Sequence, residues 1–174
     1  MQPNADGSHT VLGDGEVVRI NDLANVQWII DFVDFGMFGD PTMDGGAIYT
    51  YTGSYVDKSV YYAPFYTDIK VVKVDGNGQV WQRVYGVLTG IENLDYLLPT
   101  VDGGAILAGT HSYSETDSDF DIWLMKVNNT GSLSWQTTLK QAPNSDPISS
   151  LYLLSNGVLL VSEDYNTNDM QLAF

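Results

Sequence analysis

Three of the chain's seven basic residues, Arg19, Lys73 and Lys126, stand at one position of a repeated pattern. Each follows an aspartate by five residues (Asp14, Asp68 and Asp121) and precedes a tryptophan (Trp28, Trp81 and Trp135) by eight or nine. A cation set in an apolar strand needs an anion or a carbonyl. The spacing therefore predicts an ion pair, or a charge-assisted bond to a turn carbonyl, in every repeat. The tryptophans read as staples between neighbouring sheets, each able to bury on the order of 200 Å². The functional alternative is a ring of substrate-binding cations with ligand-stacking indoles. A fourth copy opens at Asp169, and Phe174 stands where its base belongs, which makes a closed cation ring untidy.

Two further clusters carry candidate chemistry. Tyr55, Tyr61, Tyr62, Phe65 and Tyr66 fall in one variable connection. Rings with a flat apolar face and a hydroxyl suit a sugar or a protein partner. In the next repeat the same connection carries Glu115, Asp117, Asp119 and Asp121, alternate carboxylates of the hard-oxygen type that Ca²⁺ takes. Asp164 to Asp169 is similarly rich in Asp and Asn. Ile122 stands where an EF-hand needs glycine, and Asx-rich connections are also ordinary turn chemistry. Catalytic signals are poor. His9 and His111 are the only histidines and there is no cysteine, so a thiol enzyme, a His-dependent triad and a multi-His metal site are not expected. The acids Asp31, Asp34 and Asp40 read as a solvated hairpin rim. Phosphate-cradling glycine loops, nucleophile elbows and dinucleotide fingerprints are absent from the sequence. The expectation is a protein that is not an enzyme and requires no cofactor.

Composition narrows the partners. Against seven bases stand 22 acids, a formal charge of −15 over 174 residues, which excludes the clustered Lys and Arg that hold a phosphate backbone or an anionic bilayer. No apolar run approaches the roughly 20 residues of a membrane helix. The start, MQPNADGSHT, has neither the basic nor the apolar region of a signal peptide. Hydrophobic residues reach 44%, so this is a chain with a core and not an acidic tail.

The elements that must position these residues are strands. Eighteen of the acids are Asp, which favours turns, and Val, Ile, Tyr and Thr abound where helix formers are scarce. Tryptophans recur at intervals of 53 and 54 residues, and a second signature recurs between them. It reads MDGGAIYTY at Asp44, VDGGAILAG at Asp102 and LSNGVLLVS at Asn156, with a trace at Asp6-Gly7. Each repeat resolves into four short strands. One enters the Asp-Gly-Gly turn, one leaves it, a third carries the Asp and the base, and an Asn/Gly turn leads into the Trp strand. The expected fold is all-β: four-stranded antiparallel β-propeller blades present as an incomplete set of about three. The expected boundaries are a partial blade of three strands over 1–36, full blades over 37–89 and 90–143, and a partial blade of three strands over 144–174.

DIWLMKVNNTGSLSWQTTL, DIKVVKVDGNGQVWQRVYG and PTVDGGAILAGTHS together resemble the β-propeller repeats of secreted and surface lipoprotein-type bacterial proteins. Those repeats follow D-x-W-hydrophobic-x-K-hydrophobic-D-x-x-G-x-x-x-W and then S-D-G-G. The resemblance covers residues 14–174, with Val71 in place of the aromatic and a turn one residue shorter before Trp81. It implies an extracellular or cell-surface location and no shared catalytic residues. The sialidase-type Asp-box is not met, because Asp75 precedes Trp81 by six residues and Asn128 precedes Trp135 by seven. The function expected is a non-enzymatic recognition or structural module that binds a glycan or protein through one loop face. The alternatives are a carbohydrate-active propeller enzyme and purely architectural blades. Unpaired sheet edges further imply that the remainder of a longer chain, or identical copies, completes the ring.

Overall fold

The computed structural model describes residues 2–4, 6–13, 16–31, 38–56, 65–86, 91–112, 121–139, 148–154, 157–164 and 169–173. Among them there are strands and turns and no helix. The first sheet runs β1 (Gln2–Pro3), β2 (His9–Gly13), β3 (Glu16–Ile20) and β4 (Val26–Asp31), each antiparallel to the next. The second unit is β5 (Phe38–Pro41), β6 (Ala47–Val56), β7 (Phe65–Val74) and β8 (Val80–Tyr85). The third is β9 (Ile91–Pro99), β10 (Ala105–Ser112), β11 (Asp121–Val127) and β12 (Leu133–Leu139). The fourth is β13 (Ile148–Leu154), β14 (Gly157–Asp164) and β15 (Asp169–Ala173). A single parallel pairing, Thr67 with Ile91, joins the second and third units into one eight-stranded sheet.

Two expectations change. The first unit has four strands, not three, because Gln2 and Pro3 pair with Thr10 and His9. The reason is polar. Asn4 Nδ2 donates to Ser8 Oγ at 2.9 Å and Thr10 Oγ1 at 3.2 Å, and Asp6 Oδ1 accepts from Ser8 Oγ at 2.6 Å, so this weak copy of the turn closes. The aromatic connection of the second unit is also shorter than it reads. Tyr55 and Tyr66 are direct cross-strand partners in the β6–β7 ladder, and Phe65 opens β7, so these three are strand residues.

One turn geometry recurs. At Asn4–Ser8, Asn21–Asn25, Thr42–Gly46, Asp75–Gln79, Thr100–Gly104 and Asn128–Ser132 the first N–H donates to the fifth carbonyl. The fourth N–H donates to the first carbonyl. The fourth residue has positive φ: glycine in five cases, and Ala24 at φ 60° in the other. A Cβ in this left-handed region costs about 1–2 kcal/mol, partly offset by alanine's lower entropy when unfolded. Ala24→Gly is therefore expected to stabilise the chain by about 0.5–1 kcal/mol. A urea midpoint that rises with an unchanged slope checks it; a lowered midpoint refutes it.

The core lies between sheets. Val17, Ala47, Tyr49 and Val74 close the seam between the first and second units, with Trp28 against them. Ile48, Ile69, Val71, Leu94, Leu107, Trp123 and Met125 fill the seam between the second and third. Ile106, Ala108, Ile122, Leu124, Ile148 and Leu151 fill the next one. Every residue of β10 is buried, because alternate side chains enter different seams. A strand covered on both faces requires its sheet to be stacked between two others. The sequence of β10 shows that as a continuous run of apolar and small residues.

Candidate functional site

The repeated bases meet the aspartates of the Asp-Gly turns. Asp44 is fixed first within its own turn, its Oδ1 accepting from Thr42 Oγ1 at 2.6 Å and from the Gly46 N–H at 3.3 Å. Its Oδ2 then accepts from Lys73 Nζ at 2.5 Å. Lys73 also donates to the carbonyl of Gly103, which belongs to the turn of the following unit. Arg19 repeats the scheme. Its Nη2 pairs with Asp6 Oδ2 at 2.7 Å, and its Nη1 reaches forward to the carbonyls of Gly45 at 2.7 Å and Gly76 at 2.9 Å. Lys126 pairs with Asp102 at 2.8 Å and bonds back to its own Val127 carbonyl at 2.8 Å. Each of the first two bases thus ties its own hairpin to the next unit.

The tryptophans supply a second tie. Trp28 Nε1 donates to the Gly76 carbonyl at 3.3 Å, and Trp81 Nε1 donates to the Asn129 carbonyl at 2.8 Å. The Tyr85 hydroxyl adds a bond to the Gly131 carbonyl at 2.5 Å. In both cases an indole lies on the Asx-Gly turn of the unit ahead. A Cβ built on Gly131 would stand 2.8 Å from the Trp81 ring, so that ring seats against a bare glycine. Trp135, on β12, is 42% exposed.

Between the second and third units opens a cavity of about 370 Å³, lined by Ile69, Tyr85, His111, Trp123, Met125 and Leu133 among others. At its polar end His111 Nδ1 lies 3.1 Å from Glu92 Oε1, both residues buried. They are opposed positions on β10 and β9, and His111 is opposed to Asp121 on the other side. Thr67 Oγ1 donates to the Glu92 carbonyl at 2.8 Å, and Trp123 Nε1 donates to the Thr110 carbonyl at 3.0 Å, which fixes both strands around the pair. A buried acid–imidazole pair can hold or pass a proton, and here it binds β9 to β10. The sequence lists His111 and Glu92 19 residues apart with no motif between them; only strand register brings them together.

Of the other expected site residues, Asp68 lies on β7 and is partly buried, and Asp121 opens β11. Asp169 opens β15. Asp14, Tyr61, Tyr62, Asp117 and Asp119 lie outside the described residues. Among the described residues no group of three or more acids and histidines is arranged to hold a metal ion.

The turn carboxylates set the pH response. Burial would raise Asp102, but its bonds from Lys126 and Thr100 outweigh that and hold it at about 2. Asp44 is lowered in the same way, with burial opposed by Lys73 and Thr42. The exposed Asp6 is held at about 2, chiefly by Ser8. Asp95 moves the other way. It is the residue passed over at the irregularity of the β9–β10 ladder, its Oδ2 has no partner among the described residues, and burial raises it to about 6. Groups lowered on folding stabilise the chain above the ordinary carboxylate range and lose that stability as pH falls toward 2. A group raised on folding is penalised as pH climbs from 3.8 toward 6. Stability is therefore expected to peak near pH 4 and decline on both sides. Asp95→Asn should flatten most of the decline between pH 4 and 6, leaving the smaller share of Asp40, which burial also raises, and should leave the acid limb in place. Melting temperatures across that range test it; an unchanged upper limb in the variant refutes the assignment.

No family model matches the chain, and no curated sequence relative is found. Among solved structures the chain is similar to a single-residue variant of Synechocystis apocarotenoid oxygenase, at 12% identity and a TM-score of 0.43. The match covers 91% of this chain and 38% of that one, so the chain spans well under half of that protein. The fold and the site together define an all-β protein of repeated antiparallel sheets, tied in series by bases and indoles.

Proposed function

We propose that the chain is a run of β-propeller blades serving as a non-enzymatic recognition or structural module at the cell surface or outside the cell. The single observation that carries this reading is the repetition of one inter-sheet tie. Arg19 with Trp28, and Lys73 with Trp81, engage the unit ahead at matching positions. A repeated tie of this kind rotates and offsets each sheet from the last by a similar step, which is how blades are arranged about an axis. The first strands of the second, third and fourth units, β5, β9 and β13, accordingly lie next to one another.

In such an arrangement the second strands end and the third strands begin at the end away from the Asp-Gly turns. We take that end of the sheets as the candidate ligand face for a glycan or protein; the candidates Tyr61, Tyr62, Asp117 and Asp119 lie outside the described residues. Tyr55 and Tyr66 lead into it as paired strand residues. A glycan array read alongside turnover assays tests the reading. Binding without product release, weakened at least about tenfold by Tyr55→Ala with Tyr66→Ala, supports it. Released sugar product overturns it in favour of a carbohydrate-active enzyme. Contacts mapped to sheet edges, away from this end, overturn it in favour of an architectural role.

A further inference from the structure

Among the described residues the tie between units is closed twice, and none is formed from Trp135. Trp28 and Trp81 are partly buried, and each donates its indole N–H to the Asx-Gly turn of the unit ahead. Trp135 occupies the same repeat position and is 42% exposed, with Leu133 beside it in the strand at 46%. The base shows the same change. Arg19 and Lys73 reach forward to Gly45 and Gly103, whereas Lys126 turns back to Val127. The fourth unit, as described, offers β13, β14 and β15, and among the described residues no Asx-Gly turn reaches Trp135. In the second and third units that turn joins the third strand to the fourth, so its place in the fourth unit is beside β15. Among the described residues β15 is paired on one side only, with β14.

We propose that the Trp135 face and the free side of β15 form one docking surface, and that its occupant is the Asx-x-x-Gly turn and outer strand of one further repeat of this type. The chemistry of recognition is already present twice in the molecule. A turn carbonyl accepts the indole N–H at both Trp28 and Trp81, and at Trp81 a glycine without Cβ lets the ring seat. In the second and third units the following strand adds backbone hydrogen bonds to the third strand. This deepens the blade reading and rests on it.

The test uses the ¹⁵N-labelled chain, whose four indole signals are assigned with single Trp→Phe variants. The probe is a synthetic peptide copying residues 127–139 with W135F, so that it brings no indole. Trp28 and Trp81 indole protons are expected to be protected from exchange in the free chain, and that of Trp135 to be open. Adding the peptide up to about 1 mM should shift the Trp135 signal alone and slow its exchange by about tenfold. A control peptide with both Asn128→Ala and Gly131→Ala should leave it unmoved. Protected Trp28 and Trp81 with an unresponsive Trp135 overturn the docking proposal and spare the blade reading. Unprotected Trp28 and Trp81 overturn both. Protection of Trp135 that grows with the concentration of the chain itself makes a second copy the occupant, and also overturns the proposal.

Discussion

Gly46→Ala and Gly104→Ala are each expected to lower the unfolding free energy by about 3 kcal/mol or more. These are the second glycines of the Asp-Gly-Gly signatures, and their conformation is ordinary; space is what they lack. A Cβ on Gly46 would stand 1.9 Å from the carbonyl oxygen of Val74 and 2.8 Å from Asp75 Cα. On Gly104 it would stand 2.0 Å from the Val127 carbonyl and 2.7 Å from Lys126 Nζ. The obstacles are backbone atoms at the end of a ladder, where Ala47 faces Val74 and Ala105 faces Val127. Backbone in a paired ladder yields only by breaking that pairing, so the clash is relieved at the cost of the hairpin and of the base that binds it. Gly157 is the internal control, because a Cβ there meets nothing within 4 Å. Gly157→Ala should change stability by about 0.5 kcal/mol or less. Urea unfolding of the three variants decides the matter. If Gly104→Ala falls within about 1 kcal/mol of the parent, this explanation of the signature is wrong.

Those close approaches are why the signature is legible in the sequence while its mechanism is not. Asp-Gly-Gly recurs in the sequence because three separate demands meet in one turn. The carboxylate must bind a base, the first glycine must take positive φ, as at Gly103, and the second must clear a carbonyl. Each demand restricts residue type, so self-comparison detects all three together. Strand content was equally legible, because alternating burial along β3 and continuous burial along β10 follow from the pleat. The partners were not. Asp68 and Asp121 keep fixed spacing to Lys73 and Lys126, yet the anions that reach those bases are Asp44 and Asp102, 29 and 24 residues away. Distance along the chain carries no information about hairpin register, and register decides which carboxylate arrives. The Glu92–His111 pair was illegible for the same reason. The two-residue strand β1 was too short to show a period, and the turn that creates it depends on Asn4 side-chain bonds that no spacing rule records.

Lys73→Met is expected to destabilise the chain by about 2–3 kcal/mol, and Lys126→Met by about 1 kcal/mol. Methionine keeps the length and most of the packing of the lysine stem, so the experiment removes charge and hydrogen bonds more than volume. Lys73 is 1% exposed. Removing its ammonium leaves the Gly103 carbonyl without its donor inside the seam and leaves Asp44 Oδ2 to water, while Oδ1 keeps its bonds from Thr42 and Gly46. Asp44 is partly open to water, with 36% of its side chain exposed, which keeps the loss below that of a fully enclosed pair. Lys126 bonds to a more exposed Asp102 and to its own strand's carbonyl, so among the described residues its replacement unties nothing between units. The two variants therefore separate the ion pair within a hairpin from the bond that crosses to the next unit. pH provides an independent reading of the same contrast. Lys73 helps hold Asp44 below the ordinary carboxylate range, so that part of the stability exists above the range and fades as pH falls through it. The gap between the parent and Lys73→Met should narrow on acidification, leaving a residue due to the uncovered Gly103 carbonyl. Combining Lys73→Met with Asp44→Asn should cost less than the sum of the two single changes, since the second removes the carboxylate that the first leaves alone. Equal losses in Lys73→Met and Lys126→Met at neutral pH would falsify the idea that the forward bond to the next unit helps hold the sheets in series.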